Sequence, residues 1–316
     1  MLWILFVALI VIFIVIDLGV FNRKEHIIEI KEAIYLSLFW VVLSLIFSIF
    51  IYYAYEGNWL DIGYFNNYIL DGEKAVIQYL TGYLIEKSLS LDNIFVIALI
   101  FEYFKVPGEF QHRVLYWGIL GAVILRGIMI LSGAILINQF SWMNYVFGLL
   151  LLVAAVKMLK SSTHKINPGN NPLVKIAGKI YPVTDNFVGH NFMIRKDLKT
   201  YVTPLFICLL VIEGSDVMFA VDSIPAIFAV TRDPFIVFTS NIFAILGLRA
   251  LYFILSAVLD KFQYLKYSLV LILLYVGIKM LVSSHFHIPA LYSLIIIVIT
   301  LVIGILISVY RNPKTG

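Results

Sequence analysis

The sequence predicts an all-α polytopic membrane protein of about nine transmembrane helices, six of which form two inverted three-helix repeats. Three observations predict it. Of 316 residues, 62% are hydrophobic and 13% charged, against roughly 45–50% and 25% in a soluble domain. Nine segments are long and apolar enough to cross the hydrocarbon core of a bilayer, which takes about 20 helical residues. One block also recurs: LLLVAAVKMLKSS (150–162) returns as LLYVGIKMLVSS (273–284).

The spans are expected at 1–20, 33–55, 75–104, 114–137, 142–159, 202–230, 234–259, 264–282 and 288–310. The first has neither a basic n-region nor a small-residue cleavage site, so it reads as a retained span rather than a signal peptide. Short cytoplasmic loops collect Lys and Arg. With the N-terminus outside and the C-terminus cytoplasmic, inside segments hold 16 of these residues and outside segments only Lys74 and Arg232. The other five, Lys87, Arg126, Lys157, Arg249 and Lys279, fall within spans. Lys157 and Lys279 lie near span ends and are expected to extend to the interface.

The repeat divides the chain. Residues 1–74 hold two spans and an acidic outer loop, 75–160 the first three-helix repeat and 161–200 a cytoplasmic linker with the turn signals NPGNNP and YPVTD. Residues 201–284 form the second repeat, and 285–316 a last span and tail. Arg126 precedes Lys157 by 31 residues and Arg249 precedes Lys279 by 30. Three crossings followed by a linker that does not cross bring the second copy in from the opposite side. In transporters built this way the substrate site lies near the bilayer midplane, on interrupted helices.

Two stretches carry chemistry, EKSLSLDNIF (86–95) and ICLLVIEGSDVMFAVDSIP (207–225). They place Glu86, Asp92, Glu213, Asp216 and Asp222 in mid-span, where a charge costs roughly 2.5–3.5 kcal/mol even on a lenient scale. Glu213 and Asp216 share a helix face, whereas Asp222 points away. A break at Gly214 or Pro225 is expected to bring it round. Two mid-span arginines cannot match five acids, although Arg126 and Arg249 are expected to pair with some of them. The donors are hard oxygens, with Asn93, Ser88, Ser90, Ser215 and Ser223 beside the carboxylates, which suits Mg²⁺, Ca²⁺ or Mn²⁺. Crowded, desolvated carboxylates take up protons when the ion leaves, so proton–metal exchange follows.

Other classes find little support. The basic residues form no run with interleaved aromatics, which argues against nucleic-acid binding. The single cysteine, Cys208, makes neither an intrachain disulfide nor a cysteine metal site. No nucleophile–base pair, phosphate-cradling loop or zinc-protease motif is present, so the chain reads as a non-enzyme without a prosthetic group. Two alternatives to a metal transporter remain open: a non-transporting scaffold or stress-resistance protein with internally paired acids, and an exporter of another cation.

EKSLSLDNIFV (86–96) and FAVDSIPAIFAVTRDPFIVFTSNIFAILGLRALYF (219–253) resemble signatures of the TerC family of integral membrane proteins, and within it the Alx-type manganese exporters. The resemblance covers roughly residues 1–284. It implies efflux of Mn²⁺ across the bacterial inner membrane, with Glu86, Asp92, Glu213, Asp216 and Asp222 as transport site and Asn93 as amide ligand. A short E-G-D motif of related cation exporters is interrupted here by Ser215.

Overall fold

The structure is a computed structural model that describes residues 2–19, 30–62, 64–65, 68–140, 142–160, 178–196, 199–256, 265–282, 286 and 288–311. The side chains of Leu91, Asp92 and Phe95 lie outside that description. The helices are α1 (Leu2–Gly19), α2 (Ile30–Glu56), α3 (Gly72–Phe104), α4 (Gly108–Gln139), α5 (Met143–Lys160), α6 (Pro204–Phe228), α7 (Pro234–Leu246), α8 (Leu248–Ser256), α9 (Leu265–Val282) and α10 (Ala290–Arg311). Two antiparallel hairpins interrupt them: β1 (Tyr64–Phe65) with β2 (Tyr68–Ile69), and β3 (Met193–Lys196) with β4 (Lys199–Val202), in the register Met193↔Val202. The second hairpin gives the end of the expected linker a structure of its own.

Local chemistry sets the helix ends. Asp71 caps α3, its Oδ1 accepting from the Lys74 N–H at 2.8 Å, and Lys105 closes the helix in the left-handed region at φ 52° before Pro107. Pro204 and Pro234 occupy first turns, where the missing N–H costs nothing. The Lys74 side chain and then its backbone N–H hold the Asp71 carboxyl below its usual range. The cap therefore contributes in full above the ordinary carboxylate pKa and fades as pH falls through the lowered value. Asp71→Ala is expected to cost about 1 kcal/mol at neutral pH, less at high salt, and almost nothing in strong acid; thermal unfolding across pH checks it.

Six helical stretches are long and apolar enough to span a membrane among the described residues: Ile30–Glu56, Gly108–Gln139, Met143–Lys160, Pro204–Phe228, Pro234–Ile254 and Ala290–Ser308. Of the other three expected spans, α3 and α9 carry ionisable residues, and α1 holds the shorter apolar stretch Trp3–Phe13. Pro234–Ile254 is 94% buried inside the protein, against 17–33% for the other five. The α7–α8 unit is thus the centre of the bundle, and the others turn apolar surface outward, as lipid requires. Around it α3 packs on α7, α4 on α6, α3 on α6, and α5 on α9.

Two expectations about helix breaks are corrected. The α6 helix runs unbroken through Gly214, and Pro225 lies within its last turn, where few backbone bonds remain to lose. The interrupted helices of such transporters are absent in α3 too, a continuous helix of 33 residues. The break falls instead at Gly247, between α7 and α8, with φ −86° and ψ 1°. Lys87 Nζ enters this notch and donates to the Ala244 carbonyl at 3.2 Å. A Cβ at Gly247 would stand 2.8 Å from that nitrogen and 3.3 Å from the Trp40 Cβ.

Candidate ion-binding site

Glu86, Ser90 and Asn93 recur at helical spacing along α3, and Glu213 and Asp216 do so along α6. Where these faces meet, α4 inserts Arg126, which is wholly buried. Its Nε donates to Asp216 Oδ2 at 3.0 Å and its Nη2 to Asp216 Oδ1 at 2.7 Å. Its Nη1 donates to Glu86 Oε1. From α7, Asn241 Nδ2 donates to Glu86 Oε2 at 2.9 Å. With its amide oxygen turned to the guanidinium, Asn93 accepts from Nη2 at 3.2 Å, and its Nδ2 donates to the Leu89 carbonyl at 3.3 Å.

Arg126 thus joins Glu86 of α3 to Asp216 of α6 through a planar fork of donors, a geometry lysine does not offer. Glu86 is fully buried, and the Asp216 side chain is 13% exposed. Glu213 sits one turn before Asp216, with its carboxylate against Gly121 of α4, where any Cβ would collide with both oxygens. Its Oε2 is buried without a hydrogen-bond partner. One guanidinium thus faces two carboxylates, with Glu213 a third acid beside them.

The other candidates divide. Asp222 does not join Arg126: it lines a separate cavity of about 420 Å³ with Lys157, Met218 and Ser223, which reaches Asn93 at its inner wall. This is the geometric result of an unbroken α6, because nine residues from Glu213 is two and a half turns. Asp92 has its side chain outside the described residues. Ser88 and Ser215 spend their hydroxyls on the Leu84 and Val211 carbonyls, whereas Ser90 Oγ and Ser223 Oγ are buried without partners. Among the described residues, no three of His, Cys, Asp and Glu stand together as a metal cluster. A small cavity of about 40 Å³ does lie beside Asp216, lined also by Asn93, Ser215 and Arg249.

Three residues outside the expected set make polar contacts, the first of them in this cluster and the others elsewhere. Asn241 holds the second oxygen of Glu86, and an amide in the apolar run FTSNIF was the signal for it. His112, in the first turns of α4, lies 2.9 Å from Arg249 Nη1 through its Nε2. Lys279 does not extend to the interface: it is 7% exposed and donates to Ser293 Oγ at 2.8 Å.

The sequence model of the integral membrane protein TerC family matches residues 71–315. The chain belongs to the TerC family. The matched region starts at the Asp71 cap and takes in every helix from α3 to α10, so all the residues around Arg126 lie inside it. Over its length this TerC-family chain is 45% identical to a membrane-bound redox modulator named Alx of Salmonella typhi, covering 99% of this chain and 97% of the relative. It is 44% identical to the Alx of Escherichia coli K12, covering 99% and 96%. An uncharacterized membrane protein of Rickettsia felis is 43% identical over 98% of both chains. No solved structure matches the chain. With its bacterial relatives it is an integral, multi-pass membrane protein.

Proposed function

We propose that this TerC-family protein is a secondary transporter that exports Mn²⁺ from the cytoplasm across the bacterial inner membrane in exchange for protons. Its nine spans contain two oppositely oriented halves, α3–α5 and α6–α9, which alternate access to a midplane site. The neighbour pattern supports two equivalent halves. Exchange of the two halves carries the α3–α7 contact onto the α6–α4 contact and leaves α5–α9 and α3–α6 in place, as a two-fold relation requires.

The observation that carries the reading is the shared guanidinium. Glu86 and Asp216 come from corresponding helices of the two halves and converge on one cation, with Glu213 in surplus beside them. Arg126 fills the place of the transported ion in this state. When it withdraws, Glu86, Asp216 and Glu213, with the amide of Asn93, present hard oxygens to a divalent ion, and Asp92 completes the set. Asp222 lines the approach from the 420 Å³ cavity. Protons take the ion's place on the return, since desolvated acids cannot all stay ionised. The redox role in the name of the Alx relatives finds no thiol pair here: Cys208 is the sole cysteine and is buried.

Everted vesicles holding a metal-sensitive dye are expected to take up Mn²⁺. Asp216→Asn and Glu213→Gln are expected to abolish that uptake. Gly121→Ala, which removes no charge but displaces the Glu213 carboxylate, is expected to slow it about tenfold or more. Unchanged uptake in all three variants would remove the site assignment; no uptake by the parent would remove transport itself. A scaffold role draws on one observation, that Arg126 already pairs with two of the acids. A scaffold tolerates joint neutral replacement of Arg126 and its acids, whereas a transporter folds but fails.

A further inference from the structure

At the end of the bundle where α3, α5 and α10 begin and α6 and α9 finish, a second polar cavity of about 340 Å³ opens. Its ionisable lining residues are Arg232, from the loop before α7, and Lys279, from the last turn of α9. Among the described residues, no carboxylate lines it. A lysine near a span end ordinarily runs out along the lipid to water. Lys279 turns inward, is 7% exposed, and gives one of its three N–H bonds to Ser293. Asn144, 5% exposed, adds an amide. Gln78 adds another, and its Oε1 is buried with no donor to meet it.

We propose that this cavity binds a phosphate oxyanion that also carries a hydroxyl, as the headgroup of an anionic phospholipid such as phosphatidylglycerol does. Two cations that face no acid among the described residues call for an anion. The unmet Gln78 oxygen calls for an O–H on the same ligand. Phe228, Met280 and Ile288 supply an apolar wall, and the position at the ends of five helices is the depth of lipid headgroups. Free hydrogen phosphate has the same polar chemistry. This site is distinct from the Arg126 cluster and does not depend on the transport reading.

The test uses the full chain, delipidated in detergent, with phosphatidylglycerol, phosphatidylcholine of the same acyl chains, or inorganic phosphate, read by native mass spectrometry and thermal unfolding. Phosphatidylglycerol is expected to bind about tenfold or more tighter than phosphatidylcholine, and Arg232→Gln and Lys279→Gln are each expected to weaken it about tenfold. Arg232 is exposed, so its replacement leaves folding intact if that of Lys279 does not. Stabilisation by inorganic phosphate alone, lost in Arg232→Gln, supports the site and assigns it to the free ion. Equal binding of the two lipids without any effect of phosphate overturns the proposal, as does undiminished binding by Arg232→Gln.

Discussion

Arg126→Met is expected to destabilise the protein by about 3–5 kcal/mol, the cost of leaving buried charge without its partner. Glu86, fully buried, and Asp216, largely so, lose their guanidinium together. Adding Glu86→Gln and Asp216→Asn is expected to restore most of the loss, because neutral groups in the same space need no counter-charge. Thermal unfolding in detergent measures both. A single variant as stable as the triple would show that the cluster is not an ionic one. Mn²⁺ uptake separates stability from the proposed transport: the triple variant is expected to fold yet carry no ion, because two carboxylate charges are gone.

Asp233→Ala is expected to cost about 3 kcal/mol, from a lost helix cap and an orphaned buried hydroxyl. Asp233 Oδ1 accepts from the N–H groups of Phe235 and Ile236 at 2.8 and 3.2 Å, and Oδ2 from the Tyr55 hydroxyl at 2.8 Å. It thereby ties α2 to the first turn of the central helix. Tyr55→Phe removes one bond without stranding two N–H groups, so about 1 kcal/mol is expected. In the double variant the two losses are expected to fall short of their sum, since the orphaned hydroxyl is then absent. Additive losses would mean that the tyrosine and the aspartate do not act on each other.

The membrane class was legible because hydropathy is a property of contiguous sequence. The acid-bearing helices were legible too, since a carboxylate among Leu, Val and Ile stands out without any tertiary knowledge. The grouping was not. Arg126 reaches Glu86 over 40 residues and Asp216 over 90, and Asn241 reaches Glu86 over 155. Such pairings are decided by which helix faces which. Gly214 misled for a related reason: glycine lowers the cost of a break but does not demand one, and α6 keeps its ladder of backbone bonds through it. What separates Gly247 is its surroundings, with Trp40 and Lys87 pressed against the place where a side chain would be.

That notch gives α7 and α8 a particular relationship. The last carbonyls of a helix carry partial negative charge, and at Ala244 it is met by an ammonium from α3, next in sequence to the glutamate that binds Arg126. The joint in the central rod, a single residue wide, is therefore propped by a lysine from a neighbouring helix. Were that prop neutral and shorter, the Ala244 carbonyl would be left bare inside the bundle, and only an added donor from the helix itself could answer it.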